Sequence, residues 1–329
     1  MSSRSTNATR TVLQSPVIAA LLCAASLVCP CAHAQQTEAL RKQFLEYKAK
    51  AEKGDAEAQN NLGSSYADGE GVEKDYAEAL KWYRKAAAQN NAKAQSNLGS
   101  SYYNGKGVKQ DYTEAVKWYR KAAAQNHAEA QNDLGVCYSS GQGVKQDDTE
   151  AVKWYRKAAE QNYAFAQLGL GICYANGKGV EKDYAEAIKW CRKAAEQNNA
   201  LAQSVLSTFY SEGFGVEKDY LEAVKWLRKA AEQNNAMAQL VLGDFYSDGQ
   251  GVAKDYAEAY AWYNLAAETA GSGDALEKKM YSIAKTVENA AKSRDDLEKN
   301  MSPQQVADAQ KRTKELRTQI EAKLKRGGK

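Results

Sequence analysis

Chemistry in a protein of this kind would start from histidine, cysteine or clustered acids, and the chain is poor in the first two. It has two histidines, His33 and His127. His33 falls in an N-terminal leader, discussed below, which leaves His127. One histidine excludes a two-histidine HExxH zinc site and weighs against a Cys/His or Ser/His nucleophile. His127 also stands at a position that holds Asn or Tyr elsewhere in the chain, so it reads as structural. Of the six cysteines, Cys23, Cys29 and Cys31 lie in the leader and Cys137, Cys173 and Cys191 remain. An odd number allows at most one internal disulfide beside a free thiol, which is no disulfide framework. Asp and Glu recur as pairs three apart, from Asp75/Glu78 to Asp255/Glu258. That spacing is a helix capping box with Asp in place of Ser or Thr, the Asp accepting from first-turn N–H groups and the Glu reaching back. Lys81, Arg84 and Lys85 recur toward a helix end, where cations suit the macrodipole. The Gly-x-Gly-Val loops lack the Lys-Ser/Thr of a phosphate loop and follow a helix, not a strand. The residues that could do chemistry therefore have structural accounts, and no catalytic site, metal or cofactor is predicted.

The elements that carry these residues are repeats. The six Trp are Trp82, Trp118, Trp154, Trp190, Trp226 and Trp262, each 36 residues from the next. Tyr66 to Tyr246, Gly69 to Gly249, Gly71 to Gly251 and Asp75 to Asp255 keep the same step, and only an internal repeat does that. In the first unit, Ala58, Leu62 and Tyr66 form the apolar stripe of a helix A over residues 56–67. Gly69 and Gly71 break it with a tight turn. Helix B follows Asp75, with a stripe of Ala79, Trp82 and Ala86, and Asn90-Asn91 ends it, since Asn tolerates the left-handed C-cap conformation. Such a pair cannot bury its stripe alone, so the fold class expected is all-α: a right-handed α/α superhelix, or solenoid, of six 36-residue helix-turn-helix repeats with helical caps. Cys137 and Cys173 share one helix A slot in adjacent repeats, about 9–10 Å apart at the helix axes. That is too far for an easy disulfide, and buried thiols acting as small apolar side chains are expected.

The two ends differ from the array. Arg4 and Arg10, the apolar residues 17–28 and Ala32-His33-Ala34 read as a secretory signal over residues 1–34, cleaved after Ala34. The apolar run is too short to span a bilayer comfortably, the arginines are unpaired, and the cysteines lack the small preceding residue of a lipoprotein signal. Residues 35–54 read as a capping half-repeat with Glu46 where Trp would be. The repeats fill 55–270. Residues 271–329 read as two capping helices, the second opened by Ser302-Pro303-Gln304-Gln305, with a basic tail that reads as a solvated helix end. Losing the leader lowers the formal charge from +4 to +2. With a mean hydropathy of −0.68, this is a near-neutral chain without the footprint of a nucleic-acid binder and without a transmembrane segment once the leader is gone.

The segment AQNNLGSSYADGEGVEKDYAEALKWYRKAAAQN, residues 58–90, resembles the Sel1-like repeat family, a relative of the tetratricopeptide repeats. Its marks are Leu-Gly-x-x-Tyr, Gly-x-Gly-Val, Asp-x-x-x-Ala and Trp-Tyr-x-Lys-Ala-Ala, and they cover about residues 55–270. The resemblance implies a superhelical adaptor for protein complexes, and exported bacterial members are similar to host-interaction factors, envelope regulators and biofilm assembly proteins. Asp148, Cys191, Leu227 and Ser207 depart from the pattern. The cysteine pair of the family's cysteine-rich branch is missing from each repeat, which weighs against penicillin-binding or β-lactamase activity.

Shared positions build the scaffold, so a partner would be read by positions that differ. One stripe of helix A holds Glu57, Asn60, Asn61 and Ser64 in repeat one and Lys93, Ser96, Asn97 and Ser100 in repeat two. It becomes Phe165, Leu168 and Ile172 in repeat four, Leu201 and Val205 in repeat five, and Met237, Leu240 and Val241 in repeat six. Phe165, Leu201 and Met237 share one slot. In related superhelices helix A lines the concave face, so an apolar groove is expected, extended by Phe214, for a protein or peptide partner. The competing expectation is that the two tail helices fold back and cover it. The function expected is a non-catalytic, monomeric interaction scaffold in the periplasm or outside the cell. The alternatives are an envelope enzyme or cell-wall-binding protein, or a periplasmic regulator of a membrane sensor.

Overall fold

The computed structural model describes residues 30–269 and 281–327. Most of the leader expected over residues 1–34, and the start of the tail expected at 271, lie outside the described residues. Among those described there are fifteen helices and no strand. The chain divides into two compact units, Met1–Gln125 and Asn126–Lys329.

The first unit holds α1 (Pro30–Glu52), then repeat one as α2 (Ala56–Asp68) and α3 (Tyr76–Ala88), then repeat two as α4 (Ala92–Asn104) and α5 (Tyr112–Ala124). Helix α1 starts at Pro30, ahead of the boundary expected at Gln35. It serves as the half-repeat: Phe44 and Ala51 are buried with Ala58, Leu62 and Trp82, and Phe44 meets Tyr66 edge-on at 5.4 Å.

The second unit holds repeats three to six. These are α6 (Ala128–Ser140) and α7 (Asp148–Glu160), α8 (Ala164–Asn176) and α9 (Tyr184–Glu196), α10 (Ala200–Glu212) and α11 (Tyr220–Ala231), α12 (Ala236–Asp248) and α13 (Tyr256–Thr269). Helices α14 (Tyr281–Glu298) and α15 (Pro303–Gly327) then both pack on α13. Ser302 and Gln305 form the reciprocal cap expected at the start of α15: the Ser302 N–H donates to Gln305 Oε1 at 2.8 Å, and the Gln305 N–H to Ser302 Oγ at 3.3 Å.

Every helix pair is joined as the glycines require. Gly69 and Gly71 have φ of 79° and 71°, and their equivalents in the other repeats are positive too. The second glycine also permits close approach. A Cβ on Gly107 would lie 2.3 Å from the Tyr76 carbonyl oxygen, at the start of the preceding helix B. Asn90, Asn126, Asn162, Asn198 and Asn234 take the left-handed conformation after helix B, with φ of 60–65°, and Asn91, Asn199 and Asn235 then cap the next helix A through their side chains.

Helix B is capped differently from the expectation. Asp75 accepts from the N–H groups of Ala77 and Glu78, both at 2.9 Å, but Glu78 does not reach back. The Asp75 N–H already donates to the Tyr66 carbonyl at 2.8 Å, an arrangement found in all six repeats. The glutamate is therefore free to take Lys81 instead, at 2.6 Å. The other repeated cations are also engaged. Lys85 lies 3.8 Å from the Trp82 ring centre and its equivalents in the next four repeats lie 4.0–4.5 Å from theirs, while Arg84 donates to Tyr102 Oη at 3.1 Å and Arg156 to Tyr174 Oη at 2.9 Å. The cation–π contacts lie within one helix B, and the Arg–Tyr hydrogen bonds staple one helix pair to the next.

Between stacked pairs lies a polar seam. Gln59, Gln95, Gln131, Gln167, Gln203 and Gln239 share one slot and are all buried. Gln89 Nε2 donates to Gln59 Oε1 at 2.8 Å, and Gln197 to Gln167 at 2.7 Å. Gln59 in turn donates to the Ala51 carbonyl, and Gln203 to that of Ala195, each at 3.1 Å. A buried amide is tolerated only when bonded, so within each unit this seam fixes the register of a pair on the one before it.

Candidate protein-interaction site

Phe165, Leu201 and Met237 are each the second residue of a helix A, on α8, α10 and α12. All three are exposed, with 54%, 53% and 47% of their surface open to solvent. The equivalent residues of repeats one to three are Glu57, Lys93 and Glu129. An apolar residue left in water forgoes about 1.5–3 kcal/mol of burial, and three at one slot make a row, not scattered surface hydrophobics. Phe165 also leans on Tyr163, ring centres 5.9 Å apart.

Two expected members of this face belong elsewhere. Leu168 is 6% exposed and packs in the core with Ile188 and Cys191. Leu240 is 8% exposed and packs with Tyr260 and Tyr263. The slot is buried in other repeats as well, where Asn60, Ser96 and Asn132 fill it. Three residues beyond the row, helix A has turned this slot away from solvent into the core. Val205 and Val241 are half-buried against the core, whereas Ile172 and Phe214 are exposed.

Ile172, Val205 and Phe214 come together at a cleft of about 300 Å³, whose other walls include Lys182, Tyr184 and Phe209. Helix α8 contributes Ile172, helix α10 contributes Val205 and Phe209, and the turn after α10 contributes Phe214. Tyr184, the first residue of α9, holds the aromatic wall together. Its ring stacks on Phe214 at 5.4 Å and 10°, and meets Phe209 edge-on at 6.2 Å. The stack depends on Gly215, since a Cβ there would come within 2.4 Å of the Tyr184 Cβ. Lys182 Nζ lies 4.6 Å from the Tyr184 ring centre. Sequence comparison of the repeats finds three of these residues and misses Tyr184, Phe209 and Lys182. Phe209 carried a usable signal, because its slot holds Ser65, Ser101, Cys137 and Cys173 in the first four repeats. Tyr184 did not, because five of six repeats have Tyr there.

The tail helices reach the repeat-six end of this face, where Leu240 is buried in one cluster with Ala290 and Leu297 of α14 and Ala309 of α15, while Phe165, Leu201 and Met237 stay exposed. Their other apolar contacts go to helix B of repeats five and six: Leu316 and Ile320 pack with Trp262, Leu265 and Leu227, and Ala290, Leu297 and Ala309 with Tyr260 and Tyr263.

A family model described as Sel1 repeat matches six consecutive segments, residues 56–91, 92–127, 128–163, 164–199, 200–235 and 236–268. The chain belongs to the Sel1 repeat family. As an all-α solenoid of six repeats it is similar to a Sel1 repeat protein from Oxalobacter formigenes, with 39% identity over 65% of this chain and 88% of that one, at a TM-score of 0.62. It is similar also to a protective antigen of uropathogenic Escherichia coli strains with the same class of fold, at 28% identity over 84% of this chain and 79% of that one, TM-score 0.42. An immunity protein from Pseudomonas aeruginosa shares 21% identity over 65% and 81% of the two chains, TM-score 0.47. Among curated proteins no match was found. Sel1 repeat proteins generally mediate protein–protein interaction, and the family's scaffold is typically non-catalytic.

In this Sel1 repeat protein the three cysteine thiols of the repeats are shielded by burial. Cys137, Cys173 and Cys191 are free and buried. Burial pushes the Cys137 and Cys191 thiols up to about 12 and that of Cys173 to about 11, and a thiol attacks only as the thiolate. His127 is the N-cap of α6, its Nδ1 accepting the Ala130 N–H at 3.3 Å. Among the described residues no three His, Cys, Asp or Glu are grouped to hold a metal, and no helix is long and apolar enough to cross a membrane.

Proposed function

We propose that this Sel1 repeat protein is an exported, non-catalytic scaffold that binds another protein through the helix A face of repeats four to six. The observation that carries the reading is the row of Phe165, Leu201 and Met237, exposed at one slot of three successive repeats where repeats one to three have charged residues. A partner covering the row recovers the burial free energy that the free protein forgoes. Export rests on the sequence of residues 1–34, with its basic start, apolar run and small-residue cleavage motif. The partner is then met in the periplasm or outside the cell.

The test is affinity capture by protein starting at Gln35, from envelope extract and from host secretions, beside a variant with Phe165, Leu201 and Met237 changed to Ser. The reading expects an identified protein that the wild type retains and the variant loses, with the variant's melting temperature unchanged. Equal retention by the two, or a variant that unfolds, overturns it.

A further inference from the structure

We infer that the cleft between repeats four and five is the anchor site for an apolar side chain on an acidic segment of the partner. This deepens the scaffold reading and rests on it. The cleft is about 300 Å³, at the small end of the range of about 300–1,000 Å³ in which ligands are usually held, so it takes a side chain or two and not a folded surface. Ile172, Val205, Phe209, Phe214 and the ring of Tyr184 give it apolar and aromatic walls. Among the described residues lining it, Lys182 alone carries a charge. Its ammonium lies over the Tyr184 ring and makes no ion pair with a described carboxylate. That differs from Lys81, Lys117, Lys153, Lys189 and Lys225, each of which has a glutamate within 3 Å. The cleft therefore offers an apolar seat with an uncommitted cation at its edge, and the complementary ligand is an apolar residue flanked by Asp or Glu.

Phe214 makes the site particular to these two repeats. Phe214 stands where the other repeats have Glu70, Lys106, Gln142, Lys178 and Gln250, and Val205 where repeats one to three have Asn61, Asn97 and Asp133. Lys182 stands where repeats two and three have Gln110 and Gln146, and where the remaining repeats have Lys74, Lys218 and Lys254. The chain's other repeats thus supply replacements that the fold already accommodates, Phe214→Gln and Lys182→Gln.

The experiment is fluorescence-polarisation binding of short, end-blocked extended peptides to the protein from Gln35 onward. One peptide carries a central Phe between Glu residues, a second has Lys for each Glu, and a third has Ala for the Phe. Wild type should prefer the Glu peptide to the Lys peptide by about fivefold or more, the worth of one partly exposed ion pair. Lys182→Gln should remove the preference and Lys182→Glu reverse it, while Phe214→Gln, or the Ala peptide, should weaken binding about tenfold. Equal binding of the Glu and Lys peptides, a preference that survives Lys182→Glu, or no binding of any peptide overturns the inference. The scaffold reading is separately exposed in the capture experiment. If capture needs Phe165, Leu201 and Met237 while the peptides show no discrimination, the scaffold stands and the acidic anchor falls.

Discussion

Arg312 on the last helix grips Glu258 on helix B of repeat six with both prongs, Nε to Oε2 at 2.6 Å and an Nη to Oε1 at 3.2 Å. In the five earlier repeats the same glutamate takes a lysine three residues on, from Lys81 to Lys225. Repeat six has Ala261 there, and the tail arginine fills the vacated role. The next two changes serve the same docking. Arg84 becomes Asn264, which accepts from Arg294 on α14 at 3.0 Å. Lys85 becomes Leu265, which packs with Leu316 and Ile320. Three substitutions in one helix B thus turn a repeat that would receive a seventh pair into one that receives the cap.

Replacing Arg312 with Ala should lower stability by about 1–3 kcal/mol, because it strands a mostly buried carboxylate. The corresponding change of an exposed partner, Lys81→Ala, should leave the melting curve where it is. Thermal unfolding followed by circular dichroism of the two variants checks the contrast, and equal shifts would mean that the tail pair is an ordinary surface pair.

Gly99 sits beneath the Tyr119 ring, where a Cβ would come within 2.7 Å of ring carbons. Repeat five pairs Ser207 at the glycine slot with Leu227 at the tyrosine slot, both buried. Gly99→Ser should therefore cost about 1–3 kcal/mol by overpacking, and adding Tyr119→Leu should recover at least about 1 kcal/mol as coupling between the two sites. A double-mutant cycle in urea measures this. Simple additivity would show that the two slots do not constrain each other.

The three buried thiols set an alkaline limit. Their folded pKa values, about 11 to 12, stand above the unfolded value, which is about 8.5. Their contribution to stability is therefore complete below the unfolded value and is lost as pH rises toward the folded ones. The melting temperature should fall as pH climbs from about 8.5. At neutral pH an aromatic disulfide reagent should find no reactive thiol in the native protein starting at Gln35 and three after denaturation. Fast labelling of any native thiol would contradict their burial.

What was legible in the sequence follows from what repetition reveals. Trp82 and its five equivalents gave the period, and the period located both helices of each pair and their glycine turns. Phe165, Leu201 and Met237 were legible because they break a pattern of charged residues. Leu168 and Leu240 were misread because each residue advances a helix by about 100°, so a residue three further along can face the core while sharing the stripe's composition. Glu78 was misread because the capping box assumes a free N–H on Asp75, and that N–H is bonded to Tyr66. The cleft was only half visible: Tyr184, Phe209 and Lys182 reach it from separate elements of two repeats, a juxtaposition that no single repeat encodes. The docking of Arg312 on Glu258 was hidden because the tail has no period to align.

The central claim is that the row of Phe165, Leu201 and Met237 binds and does not build. Its most direct test gives these positions the residues that repeats one to three carry there, Phe165→Glu, Leu201→Lys and Met237→Glu. The dissociation constant for the captured partner is then measured by calorimetry, beside the melting temperature of the same preparation. The account predicts an unchanged melting temperature and binding weakened by about 100-fold or more, the loss of two to three partly buried apolar contacts. Full affinity in the folded variant, or a collapse of its melting temperature, would contradict it.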